Sequence, residues 1–575
     1  MATLADSQRH PGASARSLAA FLDFAISTPA RAVIVLIAVT LLSILPGFFS
    51  IPPTDRDESR FAQATKQMIE SGDYIDIRFQ ETTRYKKPVG IYWLQAAAVH
   101  TADALGVRSA PTRIWLYRIP SLLGAIGAVL LTYWAALAFV SRRAALLAGL
   151  MMATCILLGV EGRLAKTDAM QLLTAVAVMG ALARIYLPEQ RRQLDATSSW
   201  TIPAIFWTAL AAGVLLKGPL VPMLAALAVS TLCIVDRSLA WLRSLRPLVG
   251  FVWFAALVLP WFLAIIGKSG DGFFAESVGQ DLLSKLFTGQ ESHGAPPGYY
   301  ALLFWVTFWP GAMLAGLAAP AIWAARREPG AKFLLAWIVP AWIVFELVVT
   351  KLPHYVLPLY PAIAILIAGV VDTRMLSRKP WLERGTIGWF IVPLLIGILG
   401  VVLLLFIGRQ FGLLVWPVVG AAVVAGLAAW QLYSADYPEL SLLRATGASI
   451  LTSIAIFGLV VPALTPAFPS ATLARLLRAT GCSAPLVASA GYGEPSLVFL
   501  VGTATRLTNG AGAADFLRRG GNCRFAFVDA RQERSFTQRA EAIGLRYSAG
   551  PRLEGYNLGK TRASTISIYR SGGPS

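Results

Sequence analysis

The sequence predicts a polytopic α-helical membrane protein with about thirteen transmembrane spans, followed by a small α/β domain outside the membrane. Three observations support this fold class. Hydrophobic residues make up 56% of the 575 residues, so a soluble globule would have to leave large apolar surfaces in water. Apolar runs of roughly 18 to 24 residues recur, and each can cross a bilayer as a helix. After about residue 466 the chain becomes polar and mixes short β-type runs with helical patterns.

Residues 1–31 are predicted to form a cytoplasmic tail. About thirty polar and basic residues precede the first apolar run, and no small-x-small site closes that run. A cleavable signal peptide is therefore not predicted. We expect the first run to act as a signal anchor.

The predicted transmembrane domain covers residues 32–465. Its spans are expected near 32–51, 117–139, 144–160, 168–187, 202–216, 219–236, 248–267, 299–323, 333–350, 355–371, 386–406, 413–432 and 446–465. Basic residues gather in alternate loops, at 142–143, 191–192, 237–246, 326–332 and 374–384. By the positive-inside rule these loops are cytoplasmic. The loops at 52–116 and 268–298 and the tail at 466–575 are then periplasmic, which suits a multi-pass protein of a bacterial inner membrane.

The net charge is +19, and part of the basic excess lies in these loops. Such basic residues set orientation in the membrane, and no nucleic-acid-binding module is recognisable, so nucleic acid is not an expected partner. The sequence has no paired Cys and His at zinc spacing and no G-x-x-x-x-G-K-[ST] phosphate loop. Energy from nucleotide hydrolysis is therefore not predicted.

Residues 89–105 form the one ambiguous apolar segment. A span there would reverse every later loop and place the arginines outside. We therefore predict a juxtamembrane helix lying at the interface, with Tyr92 and Trp93 at the level of the headgroups.

The polar tail is predicted to be an α/β domain, residues 466–575. Its expected strands are 485–490, 496–501, 524–528 and 564–569, and its expected helices are 511–519 and 532–544. Cys482 and Cys523 lie in this domain. In an oxidising periplasm they could form a disulfide worth about 3 to 4 kcal/mol, and the alternative is two free thiols.

The first long loop holds a dense cluster of charged residues. Phe61, Ala64, Met68 and Ile69 recur at helical spacing, and the pattern predicts an amphipathic helix over residues 58–71. Asp57 lies at its N-terminus, where the helix dipole keeps a carboxylate ionised. An ionised carboxylate can take a proton from an incoming nucleophile. The alternative is a capping box, which would use the same acids only to start the helix.

The basic half of the same loop favours a ligand site. Lys86 and Lys87 precede Pro88, and Arg60 follows Asp57 by three residues. Lysines and arginines beside carboxylates at the lipid boundary can hold a phosphate group. Alternatively, these side chains contact anionic headgroups.

The order of residues from Asp57 to Trp93 resembles a known pattern, D-E-x-R-[FY]-A…M-x-x-S-G-D-[YW]…[KR]-Y-x-K-P-x-x-x-Y-W. It is similar to membrane GT-C glycosyltransferases of family 39/83, and within them to the ArnT type. Further matching stretches are Lys217-Gly218-Pro219 and Lys351 to Pro358, and His293-Gly294 with Pro297 to Tyr300 matches less tightly. The architecture matches over the full chain, although these motifs cover only a small part of it.

The resemblance implies roles for individual residues. Asp57 would be the catalytic carboxylate, and Arg60 and Lys87, with Lys86 beside them, would bind the donor phosphate. Because Lys86 stands where ArnT-type chains usually have an acid, we predict no metal and no other cofactor. Further candidates for the substrate cavity are Glu58, Arg84, Tyr85, Asp168, Lys217, His293, Lys351, His354 and Tyr355.

Several of these candidates have structural alternatives. Glu161, Arg163, Lys166 and Asp168 form a second polar cluster that contacts sugar or phosphate, or is a solvated loop with internal ion pairs. Lys217 lies at a break between two spans and either faces a ligand or snorkels to the interface. The histidines are either ligand contacts or hydrogen-bonded structural residues.

The function implied is an inverting glycosyl transfer at the periplasmic face. A polyprenyl (undecaprenyl) phosphate would donate 4-amino-4-deoxy-L-arabinose or a related sugar to lipid A or lipopolysaccharide, and the enzyme would act as a monomer among membrane lipids. Transfer to a core sugar or to a protein hydroxyl is the alternative within this class. A lipid-linked sugar flippase or transporter is the rival class, but the sequence shows neither midplane charges nor inverted repeats.

Overall fold

In a computed structural model the protein is a helical bundle that continues into a five-stranded α/β domain. The structure describes residues 13–197, 199–277, 279, 294–434, 436–521, 523–557, 559 and 562–571. The first helices in chain order are α1 (Ala13–Ile26), α2 (Pro29–Ile44), α3 (Asp57–Ser71), α4 (Gly90–Ala104), α5 (Ile114–Ala136), α6 (Arg142–Ala153), α7 (Ile156–Glu161), α8 (Asp168–Tyr186), α9 (Pro188–Thr197), α10 (Thr201–Lys217), α11 (Leu220–Asp236), α12 (Pro247–Ser269) and α13 (Gly272–Phe274).

The bundle continues after residue 293. Its further helices are α14 (Tyr299–Thr307), α15 (Ala312–Ala324), α16 (Pro329–Leu347), α17 (Tyr360–Asp372), α18 (Pro380–Glu383), α19 (Gly388–Leu403), α20 (Val415–Gln431), α21 (Pro438–Ser453) and α22 (Val461–Ala463). Two pairs are sharply bent, α1 with α2 by 118° and α14 with α15 by 119°. The expected N-terminal tail is therefore helical from Ala13, and α2 starts afresh at Pro29 behind the cap formed by Thr28.

The predicted spans can be compared with these helices one by one. Seven helices among the described residues are long and apolar enough to cross a membrane, and the two bent pairs raise the number to nine. The shorter apolar helices α10, α11 and α20 and the broken pair α6 and α7 coincide with the other predicted spans. The prediction of a polytopic helical membrane protein is confirmed.

The first loop folds into two helices and a small hairpin. The helix α3 begins at Asp57 with two acids in its first turn and ends where Gly72 takes a left-handed conformation, with φ of 70°. The strands β1 (Arg78–Phe79) and β2 (Thr82–Thr83) pair antiparallel, and α4 follows. The helical predictions for both halves of the loop are confirmed.

One detail of α4 differs from the prediction. Tyr92 is fully buried, whereas Trp93 is partly exposed. The Tyr92 ring packs against Phe61 of α3, with ring centroids 5.5 Å apart. Tyr92 therefore faces the interior of the first loop and does not lie among headgroups, because α3 covers this side of α4.

The C-terminal domain is a mixed sheet flanked by helices. Its elements are α23 (Pro469–Ala479), β3 (Leu486–Ala490), α24 (Pro495–Val501), β4 (Arg506–Thr508), α25 (Gly510–Arg518), β5 (Arg524–Asp529), α26 (Ala530–Ala542), β6 (Tyr547–Asn557) and β7 (Arg562–Ser571). The strand order is β4-β3-β5-β7-β6, in which β3 is parallel to β4 and β5, and β7 is antiparallel to its neighbours. Burial of the apolar strand β5 in the middle of this sheet forms the core.

The predicted strand over residues 496–501 is wrong. This segment is the helix α24, which has Pro495 in its first turn and ends at Gly502. A short apolar run does not by itself separate a strand from a buried helix, and here Pro495 fits the start of a helix. Sequence analysis also missed β4, β6 and α23.

Cys482 and Cys523 form the disulfide that the sequence suggested. Their Cα atoms are 5.8 Å apart, and the bridge closes a loop of 41 residues between the end of α23 and the start of β5. The other two cysteines, Cys155 and Cys233, are free thiols.

Candidate active site

Asp57 is the first residue of α3, and its side chain is exposed. The unpaired N–H groups of a helix N-terminus favour a negative charge at this point. Arg56 precedes it with φ of 67° and ψ of −113°, a conformation that residues other than glycine rarely adopt. The predicted catalytic carboxylate therefore lies at a sharp turn and is accessible to a ligand.

Glu58 is buried and serves the fold, which corrects the prediction that it lines the substrate cavity. Its carboxylate accepts hydrogen bonds from Arg118 Nε at 2.7 Å and from the backbone N–H groups of Thr54 and Ala165 at 2.9 and 3.0 Å. Burial alone would raise the pKa of Glu58, but the Arg118 guanidinium outweighs it and holds that pKa below its ordinary value. Glu58 thus ties together the first loop, α5 and the loop before α8.

Arg118 is a residue that sequence analysis missed. Its side chain is buried in α5, and it also donates to the carbonyl oxygens of Phe48 and Ile51 at 2.8 and 2.9 Å. The guanidinium of Arg118 therefore binds both ends of the segment that joins α2 to α3. A charged residue inside an apolar run was the available signal.

The second polar cluster lies between α7 and α8. Four residues of this loop are buried, so it is not solvated: Glu161, Arg163, Lys166 and Asp168. The internal ion pairs of that alternative are present, since Lys166 pairs with Glu161 and Asp168. Arg163 donates to the carbonyl oxygen of Pro46 at 3.0 Å and anchors the loop to the end of α2.

Close contact between α5 and α8 positions this loop. Gly124 lies where the helices cross, and a Cβ there would come within 2.6 Å of the Met170 nitrogen. Ser121, one turn earlier on α5, donates to the carbonyl oxygen of Lys166 at 3.1 Å. The backbone that carries Asp168 is thereby fixed against α5.

The side chains of the loop form a charge network with two further helices. Lys166 Nζ lies 3.0 Å from Glu161 and 3.6 Å from Asp168, and Lys217 at the end of α10 pairs with Asp168. A ring nitrogen of His354 lies 3.6 Å from each of the two carboxylates. Burial would lower the pKa of Lys166, but Glu161 and Asp168 outweigh it and raise that pKa, so the ammonium stays charged.

The same network includes the one group of side chains, among the described residues, with the geometry of a metal site. Donor atoms of Glu161, Asp168 and His354 lie within 4.8 Å of one another. Two ammonium groups, on Lys166 and Lys217, already contact these carboxylates. A divalent cation would have to compete with both charges, so the residues fit an internal charge network better than a metal site.

Electrostatic interactions connect the first loop, which carries Asp57, with the loop between α7 and α8. Burial lowers the pKa of Lys166, and the Asp57 carboxylate adds to the larger opposing effects of Glu161 and Asp168. The charge of Lys87 acts on His354, as do the charges of Asp168 and Lys166. The charges of Asp57 and Lys87, predicted from the first loop, therefore act on the cluster around Asp168.

Two predicted residues of the basic half differ in their surroundings. Arg84 is buried, its guanidinium lies 5.2 Å from the Phe61 ring centroid, and its Nε has no hydrogen-bond partner among the described residues. Tyr85 is instead part of the core of the first loop, because its hydroxyl donates to Asp76 at 2.7 Å and its ring packs on Phe273. Arg84 stays a cavity candidate, and the prediction for Tyr85 is corrected.

Three candidates come from helix ends beyond the first loop. Lys217 Nζ lies 5.7 Å from the ring centroid of Tyr355, which places both beside Asp168. Lys351 is buried and donates to the carbonyl oxygen of Val348 at 2.7 Å, which is a local structural contact. Lys217 and Tyr355 therefore lie beside Asp168, whereas Lys351 hydrogen-bonds to the backbone of its own loop.

The remaining predicted residues are less closely tied to this cluster. Arg60 lies in the first turn of α3, and its charge opposes the larger effect of burial, which raises the pKa of Asp55. Lys86 is half-buried next to Lys87. His293 lies outside the described residues. The phosphate-binding roles of Arg60 and Lys86 stay predictions.

Comparison with known proteins supports the family resemblance. The chain is similar to bacterial proteins named undecaprenyl phosphate-alpha-4-amino-4-deoxy-L-arabinose arabinosyl transferase. It is 28% identical to the one from Edwardsiella ictaluri over 407 residues, 68% of each chain. It is 28% identical to the one from Pseudomonas aeruginosa over 458 residues, 74% of this chain and 76% of the relative. The match to the Erwinia tasmaniensis protein, 29% identical, spans about half of each chain, 54%. No protein-family model matches.

Solved structures share the architecture. ArnT from Cupriavidus metallidurans in the apo state superposes with a TM-score of 0.73 at 18% identity, covering 93% of this chain and 97% of that one. The same protein bound to undecaprenyl phosphate gives 0.72 at 17% identity, covering 94% and 98%. The fold is thus shared over nearly the whole chain, including the C-terminal domain. The chain is thus similar in sequence to these arabinosyl transferases, and it is a polytopic helical membrane protein that shares the fold of ArnT.

Proposed function

We propose that this chain is an inverting glycosyltransferase of the bacterial inner membrane. It transfers 4-amino-4-deoxy-L-arabinose, or a related sugar, from undecaprenyl phosphate to lipid A or lipopolysaccharide at the periplasmic face. Two findings support the proposal. The curated relatives carry the name of this activity, and an ArnT structure of the same fold holds undecaprenyl phosphate.

The observation that carries the proposal is the meeting of an exposed acid with buried cations. Asp57 is accessible at the start of α3, and its charge acts on Lys166. Lys217 and Lys87 belong to the same electrostatic cluster through Asp168 and His354. Sugar transfer from a lipid phosphate needs both an acid–base group and positive charge, and this cluster supplies both.

The proposed reaction breaks the bond between the sugar and the phosphate oxygen. The acceptor hydroxyl attacks the anomeric carbon from the opposite side, and Asp57 takes its proton or orients it. The electron pair of the broken bond stays on undecaprenyl phosphate, whose developing charge is stabilised by Lys87, with Arg60 and Lys86 as further candidates. Electrostatic stabilisation of this kind is worth several kcal/mol where water is sparse.

The location of the reaction follows from the loops that build the site. The first loop and the C-terminal domain touch each other, for example where the Ser496 N–H donates to Asp55 at 3.1 Å. Both were placed outside the cytoplasm by the distribution of basic residues. The prenyl tail of the donor would lie along the apolar bundle, within the membrane.

The test is sugar transfer by the Asp57→Asn variant in membranes supplied with a labelled lipid-linked sugar. The variant is expected to lose about 10²- to 10⁴-fold in rate, the range typical of a lost acid–base group. Asp103→Asn is the matched control, because Asp103 is an exposed acid on the same loop. Wild-type turnover of Asp57→Asn would remove Asp57 from the mechanism. Mass spectrometry of lipid A from a deletion strain identifies the acceptor, and an unchanged lipid A would favour a core sugar or a protein hydroxyl.

A further inference from the structure

The two residues before Asp57 are bound by the C-terminal domain. A carboxylate oxygen of Asp55 accepts a hydrogen bond from the backbone N–H of Ser496 at 3.1 Å. The guanidinium of Arg56 donates to the carbonyl oxygen of Gly559 at 2.6 Å. A domain that follows the membrane bundle in sequence therefore contacts the side chains of the two residues that precede the proposed catalytic acid.

The backbone at this point is strained. Arg56 has φ of 67° and ψ of −113°, and no side-chain cap starts α3 there. A residue with a Cβ is strained in such a conformation. The conformation persists only where the surrounding structure imposes it. The contacts of Asp55 and Arg56 with the C-terminal domain constrain this turn, beside the local hydrogen bond from the Thr54 N–H to Glu58.

The same domain follows α3 beyond its first turn. Lys66 donates to the carbonyl oxygen of Phe499 at 3.0 Å, and the Phe499 ring packs on Tyr117 of α5 with centroids 5.3 Å apart. Thr503 accepts from Gln63 at 2.8 Å and donates to Glu70 at 2.6 Å. The helix α24 is thus fixed along α3, which gives the domain a rigid base from which to hold Arg56.

We infer that Asp55 and Arg56 are positioning residues, through which the C-terminal domain holds the strained turn that directs Asp57 into the site. The inference rests on the proposed function, because it concerns the orientation of the proposed catalytic acid. Neither residue needs to touch the substrate. Lys86 and Lys87, two of the cations proposed to bind the donor, lie on another segment, so losing the turn changes the orientation of Asp57 more than it changes the donor site.

A pair of substitutions at residue 56 separates strain from side-chain chemistry. Arg56→Ala and Arg56→Gly both lose the hydrogen bond to Gly559. Alanine still disfavours the turn and lets it relax, whereas glycine adopts it at little cost. In the transfer assay with the full-length protein, we expect Arg56→Ala to lower kcat about 10-fold with little change in KM for the donor. Arg56→Gly is expected to keep most of the wild-type kcat.

Substitutions at residue 496 test the contact from the side of the C-terminal domain. Ser496→Pro and Ser496→Ala both lose the hydroxyl, which donates to Ser470. Only proline also removes the N–H that Asp55 accepts, and proline is tolerated in the first turn of a helix. We expect Ser496→Pro to lower kcat more than Ser496→Ala and to speed hydrogen exchange at residues 55–60.

The outcomes separate the two proposals. If Arg56→Ala and Arg56→Gly lose equal activity, or neither loses any, the strained turn does not position Asp57. If the wild type transfers no sugar, the proposed function fails. Hydrogen exchange still decides the positioning role in that case, because equal exchange in Ser496→Pro and Ser496→Ala would overturn it.

Discussion

Asp57 and Asp168 occupy the same local position and meet different surroundings. Each is the first residue of a helix, where the dipole favours a carboxylate. Asp57 is exposed, whereas only 6% of Asp168 is exposed, and the latter contacts Lys166 and Lys217. The comparison teaches that a helix N-terminus can present an acid to solvent or can bury it in a network of charges. Neighbouring helices decide between the two.

Glu58 connects the segments that carry the two acids, and it serves only the fold. Glu58 binds the first loop through Thr54, α5 through Arg118 and the loop before α8 through Ala165. A buried contact within the protein therefore links the two segments that carry these acids. Breaking this connection is the strongest way to test the comparison.

The largest effect is expected from Arg118→Leu. This change leaves the Glu58 carboxylate buried without its ion-pair partner, and the loss of one member of such a pair costs about 3 to 5 kcal/mol. Thermal unfolding of the purified protein measures the effect. Arg113→Leu is the control, since Arg113 is an exposed arginine one turn earlier. Equal midpoints for the two variants would show that the Glu58 contact does not hold the loops.

A smaller effect is expected from Lys217→Met, which removes one cation from Asp168 and keeps a side chain of similar length. Lys166 still faces the acid, so we expect the protein to fold and the rate of transfer to fall about 10²-fold, as for one lost electrostatic group. Lys332→Met is the matched control. Lys332 Nζ lies 2.6 Å from Asp236, in an ion pair that is not part of the site. A rate equal to that of the control would place Lys217 outside the mechanism.

A pH effect is expected at Asp55, two residues before Asp57. Burial, with a contribution from Glu494, raises the pKa of Asp55 from 3.8 to about 6, while Ser496 and Arg60 oppose the shift. At a pH between these two pKa values, Asp55 is protonated when the C-terminal domain is docked and ionised when Asp55 is in solvent. Docking of the C-terminal domain therefore weakens as the pH rises through this window and changes no further above it.

Hydrogen exchange of α24 measures this docking. After correction for intrinsic rates, exchange is expected to be a few-fold slower at pH 5 than at pH 7. Asp55→Asn should abolish the difference, because the amide does not titrate. A difference that persists in this variant would assign the pH effect to another group.

The smallest effect is expected from a chelator. The ammonium groups of Lys166 and Lys217 occupy the space that a divalent cation would need beside Glu161 and Asp168. EDTA should therefore change the rate of transfer less than two-fold, which corresponds to about 0.4 kcal/mol in activation free energy. The assay is the one used for Asp57→Asn, with excess Mg²⁺ or Zn²⁺ added back as the control. Loss of activity that either metal restores would assign a metal to the cluster around Asp168.

Much of the fold could be predicted from hydrophobic patterning. Apolar runs and alternating basic loops give the helices, because a bilayer imposes a length and an orientation on each span. The helix 496–501 was missed because a six-residue apolar run fits a strand or a buried helix equally well. Tyr92 was misplaced since the sequence does not show that α3 covers α4.

The sequence alone determined which residues the site could use. Asp57, Lys87, Asp168 and Lys217 lie at the ends of apolar runs, where charge is rare enough to indicate function. It also determined the membrane class and the presence of a separate C-terminal domain.

Only the tertiary structure decided which acid is accessible, which is paired and which holds the loops together. Glu58 and Asp57 are neighbours in sequence, yet one is buried on Arg118 and the other is exposed. The physical reason is that burial and ion pairing depend on residues about 60 to 500 positions away in the chain, such as Arg118 and Gly559.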